Sequence, residues 1–171
     1  MMSLAVVVFN SQGAAYQGLH LAGLQDLECL ELIPLGAQAQ LLIRGESERL
    51  TPFLQQLSFS DVESVTLVEK WNQKIERAFY SLDHATPKSS MIFIENASLG
   101  SLFQAASHGI QNGYEIVDLK IPRGSVKWGL LILTGDCDGK DSLQAFRANG
   151  NQVTRVLQPS KTLKTYFDIE A

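Results

Sequence analysis

The sequence repeats itself at a nearly constant offset, and this restricts the chain to folds built from two similar parts. Ile33-Pro34-Leu35-Gly36 returns as Ile121-Pro122-Arg123-Gly124, and Val65-Thr66 returns as Val153-Thr154, each 88 residues later. Shorter matches keep the same order at offsets between 87 and 90 residues. We therefore predict two diverged copies in the 171-residue chain, at 1–82 and 91–171, joined by a linker at 83–90.

Each copy begins with a predicted strand and a predicted helix. Apolar runs at Leu4–Phe9 and Met91–Ile94 indicate buried strands. In the second copy, Ser98 can cap the helix that follows, and Gly113 can end it. In the first copy the corresponding helix has a weaker apolar stripe, formed by Tyr16, Leu19, His20, Gly23 and Leu24.

The rest of each copy is predicted to contain two strands, a second helix and a last strand. The middle strands part at the Pro-Gly turns, and they are expected at 27–32 and 39–43, then at 114–121 and 129–133. The second helix carries Leu50 and Phe53 in the first copy, with Pro52 in its first turn, and Leu143 and Phe146 in the second. Last strands follow at 62–68 and 152–157. The order β-α-β-β-α-β predicts an α+β chain of two tandem ferredoxin-like repeats.

The composition argues against several classes of function. There are 14 Lys and Arg residues against 18 Asp and Glu, and this net charge of −4 leaves no excess of cations for nucleic acid. No apolar stretch approaches the ~20 residues of a membrane span, and no basic segment precedes the first apolar run, so we expect neither a membrane anchor nor a signal peptide. Cys29 and Cys137 lack CxxC spacing, which argues against a disulfide framework and a zinc site and favours a cytoplasmic location.

Several strand motifs resemble the BMC-domain proteins of bacterial microcompartment shells. Phe93-Ile94-Glu95-Asn96-Ala97-Ser98-Leu99-Gly100 resembles the opening strand of that family, and Tyr114-Glu115-Ile116-Val117-Asp118-Leu119 resembles its second strand. The segment 129–136 resembles the third strand with its final Gly-Asp, and Val156-Leu157-Gln158-Pro159 resembles the end of the last one. The second copy resembles the family over most of its length, and the first mainly over 27–46 and 65–82.

Two such copies in one chain resemble the tandem class of this family. This implies a homotrimer that acts as a six-domain hexagonal tile, packs against other shell proteins and has a central opening for small metabolites. In the family the opening is lined by the loops between the second and third strands. These loops correspond here to Leu35, Gly36, Ala37, Arg123, Gly124, Ser125, Val126 and Lys127.

Two cations in the second loop suggest a preference among metabolites. In a trimer, Arg123 and Lys127 would place six positive charges near one axis, which favours anionic metabolites. The alternative is that two exposed charges only solvate a turn. Trp128 adjoins this loop, where it is either a packing anchor or a gate.

One departure from the family pattern keeps a second function open. The first helix of family members usually ends with a Lys at the tile edge, but the second copy has Gln111-Asn112 there, and the first has no Lys before Lys70. The alternative is therefore a ligand-binding or regulatory oligomer of ferredoxin-like repeats that does not tile. The two hypotheses differ in whether sheets form and in whether a small effector raises the thermal stability.

Other residues that can carry chemistry form no recognisable site. The segment 136–141 lacks the ligand pattern of a calcium loop and is better explained as the start of a helix. The three histidines have no ligand spacing, and neither cysteine falls in a loop where an iron–sulfur cluster would sit on a trimer axis. Glu28 and Glu31 are interpreted as a solvated face. No nucleophile motif or phosphate-binding glycine motif is present, so we expect no enzymatic activity, cofactor or metal.

Overall fold

A computed structural model describes residues 1–123, 126–136 and 143–168. The chain divides into two compact units. Unit 1 comprises Met1–Trp71 with Pro122–Lys127, and unit 2 comprises Asn72–Ile121 with Trp128–Ala171. No helix within the described ranges is long and apolar enough to cross a lipid bilayer.

Unit 1 is a four-stranded antiparallel sheet with two helices. Its strands lie in the order β2-β3-β1-β4, and the helix α1 follows β1, whereas α2 connects β3 to β4. The elements are β1 (Met2–Phe9), α1 (Gln12–Leu24), β2 (Glu28–Leu35), β3 (Gln38–Glu46), α2 (Ser47–Gln56) and β4 (Val62–Val68).

Unit 2 has a sheet of the same kind, with the strand order β6-β7-β5-β8. A 3₁₀ helix at Gln144–Gly150 stands where unit 1 has α2. The other elements are α3 (Gln73–Phe79), β5 (Ser90–Asn96), α4 (Leu99–Gln111), β6 (Glu115–Lys120), β7 (Gly129–Gly135), β8 (Gln152–Leu157) and α5 (Lys161–Asp168).

The two sheets agree in register as well as in strand order. Ala5 pairs with Ile43 in unit 1, and Ile92 pairs with Leu133 at the corresponding place in unit 2. A β-bulge lies between Cys29 and Glu31 and recurs between residues 116 and 118. The prediction of two ferredoxin-like repeats is therefore confirmed, and the sequence offset reflects a repeated hydrogen-bonding pattern.

The face that α1 presents to the sheet differs from the predicted one. Ala14, Ala15, Gly18 and Ala22 are buried, while Tyr16 is 60% exposed. Leu24, His20 and Gly23 are exposed too, so the predicted stripe was wrong for most of its members. The reason is close packing: the ring of Phe9 lies where a side chain at Gly18 would point. Small residues let the helix approach the sheet.

Two prolines also occupy positions that differ from the prediction. Pro34 does not separate the strands but lies inside β2, where it pairs with Ala39. Because β2 is an edge strand, the missing N–H of a proline is tolerated there. Pro52 lies in the second turn of α2 rather than the first, and its residue is exposed.

The predicted second helix of the second copy is also irregular. Phe146 is buried as expected, but Asn149 has a φ of 58° and interrupts the short 3₁₀ helix. Asn96 holds this segment, since its side-chain amide donates to the Asn149 carbonyl at 3.0 Å and to Asn151 Oδ1 at 2.7 Å. A polar network thus replaces the apolar face of a regular helix.

The helices α3 and α5 follow the last strand of each copy, 88 residues apart. Within unit 2, α3 packs beside β6 and α4, and the rings of Phe79 and Phe103 are 5.8 Å apart. In contrast, α5 lies on the outer face of its sheet, where Leu163 and Phe167 pack against a cluster of Met91, Val117 and Ile132. The linker also belongs to unit 2, since the Ala85 N–H donates to the Ile116 carbonyl.

Candidate functional site

The first of the two predicted loops is a tight hairpin turn. Leu35 is the last residue of β2 and pairs with Gln38, so only Gly36 and Ala37 form the connection. Gly36 has a φ of +62°, a conformation that suits the first central position of a two-residue hairpin. The prediction that Leu35 lies in a loop was therefore wrong, whereas Gly36 and Ala37 are exposed turn residues.

Polar side chains fix this turn to the rest of unit 1. The Gln12 side-chain amide, at the start of α1, donates to the Gly36 carbonyl at 3.1 Å. Gln38, just after the turn, donates from its amide to the Glu63 carboxylate on β4. The turn thus belongs to a braced edge of the unit, and neither glutamine was predicted to contribute.

The second predicted loop connects β6 to β7 and is longer. Pro122 is buried, whereas Arg123, Val126 and Lys127 are exposed, and the Val126 N–H donates to the Arg123 carbonyl at 2.9 Å. Gly124 and Ser125, which were predicted to line the opening, lie outside the described residues. The segment 122–127 groups with unit 1 although the strands on either side of it belong to unit 2.

Arg123 is held by a carboxylate of unit 1. Its guanidinium donates to Glu31 Oε1 on β2 at 2.9 Å, and the side chains are 52% and 27% exposed. The interpretation of Glu31 as part of a solvated face was therefore wrong, and Glu28 likewise pairs with Arg44. Since Glu31 neutralises Arg123, the two cations of this loop are not equivalent.

Lys127 is the cation that carries the uncompensated charge of this loop. Within the described ranges, no carboxylate forms an ion pair with it. Its neighbours Val126 and Trp128 are 58% and 48% exposed, so Trp128 is not a buried packing anchor. The described part of the loop therefore presents one free cation beside two apolar side chains.

The structure does not join the two predicted loops by polar contacts. Among described residues, no hydrogen bond or ion pair connects the turn at Leu35–Ala37 with Arg123, Val126 or Lys127. What it brings together instead is Arg123 and Glu31, 92 residues apart in the sequence. No local pattern marks Glu31 as a partner of Arg123, because the pair depends on the tertiary position of the loop.

The remaining titratable groups point to structural roles. Burial raises the pKa of the Cys29 thiol, which keeps it protonated and makes it a poor metal ligand. The hydrogen bond from Arg77 lowers the pKa of Asp83, and Glu115 raises the pKa of Lys88 by accepting its hydrogen bond. In the described segments no group of three or more His, Cys, Asp or Glu residues could hold a metal ion. Most of 136–141 lies outside those segments.

Comparisons with known proteins connect this fold to a solved structure. No family model matches the sequence, and no curated protein matches it. A microcompartments protein from Desulfitobacterium hafniense DCB superposes with a TM-score of 0.69 at 20% identity, covering 96% of this chain and 99% of its own. Its length and fold therefore match those of the whole chain.

Two further structures superpose much less well. A protein described as a glycine cleavage system transcriptional repressor gives a TM-score of 0.35 at 13% identity, covering 91% of this chain and 97% of its own. A bacterial light-regulated adenylyl cyclase gives 0.34 at 10%, covering 78% and 60%. Neither supports an argument about function. The fold is thus a pair of tandem ferredoxin-like repeats of the kind seen in the microcompartments protein.

Proposed function

We propose that this chain is a structural protein of a bacterial microcompartment shell, located in the cytoplasm and without enzymatic activity. It forms a homotrimer in which six repeats make a hexagonal tile. The tile packs against other shell proteins, and its central opening passes small metabolites. The observation that carries this proposal is the superposition with the Desulfitobacterium hafniense protein over nearly the full length of both chains.

The repeated register supports a pseudo-hexagonal tile. The two sheets share strand order and hydrogen-bond pairing, including the bulge in the second strand. Two parts with the same backbone can occupy equivalent positions around a ring, so three chains suffice for six positions. The connections between the second and third strands then recur at six places, three of each kind.

The charges of the second connection favour anionic metabolites, but by fewer cations than the sequence predicts. Since Arg123 is paired with Glu31, its charge contributes little to the field at the opening. Lys127 is left to provide one positive charge per chain, next to Val126 and Trp128. In the trimer this is a ring of three lysines at a partly apolar opening.

The experiment that tests the tile is the mass of the purified protein by light scattering, followed by electron microscopy of the same sample at low salt. We expect a mass three times that of the 18.8 kDa chain, together with sheets or tubes. A monomer, or an oligomer not divisible by three, would contradict both the tile and its opening.

A second candidate function is a ligand-binding or regulatory oligomer that does not tile. It is favoured by the end of α4, where Gln111 and the capping residue Asn112 stand in place of an edge lysine. In this case the trimer stays discrete in the microscope at every salt concentration. A panel of anionic metabolites would then raise the melting temperature of the wild type, and Lys127→Gln would reduce that increase.

A further inference from the structure

The first helices of the two copies differ in one stripe of side chains. On α4, Gly100, Phe103 and Ser107 are all buried. Their counterparts 87 residues earlier on α1 are Gly13, Tyr16 and His20, which are all exposed. We call these three residues the Tyr16 stripe. The same position on the repeated fold is therefore covered in one copy and open in the other.

In unit 2 the helix α3 provides cover at this stripe. Phe79 packs its ring edge-on against Phe103, with the ring centroids 5.8 Å apart. Ile75 and Ala78 on the same face of α3 are also buried. The seat of α3 is therefore an apolar groove between α4 and the edge strand β6.

The counterpart of α3 in the second copy is α5. The two helices begin and end at matching positions, with Leu163 in place of Ile75 and Phe167 in place of Phe79. Since α3 lies on the unit that follows the first copy, repetition of the pattern puts α5 on the first unit of a following chain. Tyr166, beside Phe167, is 68% exposed and available for contact.

Charge complementarity supports the same partner. In unit 2, Lys88 forms an ion pair with Glu115 at the start of β6. The counterpart of Glu115 is Glu28 at the start of β2, whose side chain is 57% exposed. Within α5, Lys161 and Lys164 supply positive charge, and no acidic residue lies in the first turn. A basic apolar helix thus meets an acidic apolar groove.

We propose that the Tyr16 stripe is the docking surface for α5 of a second copy of this chain, with Phe167 against Tyr16. This inference rests on the proposed function, because it names the segment that joins one chain of the trimer to the next. In the single chain α5 lies on its own sheet through Leu163 and Phe167. Docking therefore exchanges an identical segment between copies, which is a common route to oligomers.

The outer face that α5 leaves does not need its own terminal helix for cover. The corresponding residues of unit 1 are Leu4, Val6 and Leu42, and all are at most 2% exposed although α3 belongs to unit 2. The position of α5 on its own sheet is thus one of two seats that the repeat makes available to a terminal helix. The second seat becomes accessible only when another copy is present.

Chemical crosslinking tests this contact in the full chain. In a background with Cys29→Ser and Cys137→Ser, the pair Tyr16→Cys and Phe167→Cys would be treated with a short bismaleimide. We expect denaturing gels to show covalent species of two and three chain masses. The matched control replaces Tyr16→Cys with Phe59→Cys, because Phe59 is 97% exposed in the same unit. This control should stay at one chain mass.

Association measurements provide an independent test. Tyr16→Asp should weaken trimer formation by about thirtyfold or more, as expected for the loss of one aromatic anchor, whereas Phe59→Asp should not. Both side chains are exposed in the single chain, so circular dichroism should show unchanged folding. A wild-type trimer whose Tyr16 pair yields no crosslink, or which Tyr16→Asp leaves intact, overturns the docking surface alone. A monomeric wild type overturns the proposed function as well.

Discussion

The first strands of the two copies end in chemically opposite residues, and the difference extends to the helices around them. β1 ends in Phe9, whose ring packs against Gly18 of α1. β5 ends in Asn96, whose amide donates two hydrogen bonds to the 3₁₀ segment. One strand end is thus fixed by apolar packing and the other by a polar network, although the two sheets agree in register.

This comparison shows which part of the repeat has been free to diverge. A shift in strand register moves every side chain to the wrong face, so pairing is strongly constrained wherever a face is buried. The layer above the sheet can change as long as its volume is filled, and here bulk moved from the helix to the strand in the first copy. Differences in function between the copies are therefore expected in helices and loops.

The largest expected effect comes from breaking the apolar side of this comparison. Phe53 on α2 is fully buried in the core of unit 1, so Phe53→Ala should lower the free energy of unfolding by about 3–5 kcal/mol. Phe59 is a matched control in the same unit, since it is 97% exposed. Phe59→Ala should change stability by less than about 0.5 kcal/mol. Urea unfolding of both variants checks this, and equal losses would contradict the assignment of the core.

A smaller effect tests the contact between Phe9 and Gly18. A methyl group at Gly18 would lie 2.5 Å from Phe9 Cζ, so Gly18→Ala should cost about 1–3 kcal/mol of stability despite the better helix propensity of alanine. The control is Gly23→Ala in the same helix, where nothing lies within 4 Å of the added methyl. That variant should gain about 0.5–1 kcal/mol.

The second strand end offers a rescue for this test. Because the clash is with the tip of the Phe9 ring, Phe9→Leu combined with Gly18→Ala should be more stable than the sum of the two single changes predicts. A double-mutant cycle by thermal or urea unfolding measures this coupling. Strict additivity would mean that the close approach of α1 to the sheet does not depend on Phe9.

The sequence predicts the strands better than the layer above them. The last strands were found with the predicted bounds, Val62–Val68 and Gln152–Leu157, because runs of β-branched residues mark them clearly. The buried face of α1 was missed because Ala14, Gly18 and Ala22 give little apolar signal, although Tyr16 and Leu24 give a strong one. Small residues on a helix indicate close packing only once the opposing Phe9 is known.

The candidate site was predictable only as two connections in the chain. The resemblance to a known family placed Gly36, Ala37 and the segment 122–127 correctly between the second and third strands. The sequence could not show that Arg123 is neutralised, because Glu31 belongs to the other copy and their separation carries no periodic signal. The Pro-Gly pattern also hid the fact that an edge strand continues through Pro34.

The smallest expected effect concerns the pair that distinguishes the two loops, Arg123 and Glu31. Both side chains are partly exposed, so solvent screens their attraction, and a double-mutant cycle with Arg123→Ala and Glu31→Ala should give a coupling of about 0.2–1 kcal/mol. The coupling should shrink as salt is added, since exposed ion pairs are screened. The consequence for the opening is larger than for stability, because Glu31→Ala leaves Arg123 unpaired beside Lys127. If the proposed function holds, binding of anionic metabolites should strengthen in Glu31→Ala and weaken in Lys127→Gln. An unchanged affinity in both variants would show that this loop does not determine the charge preference.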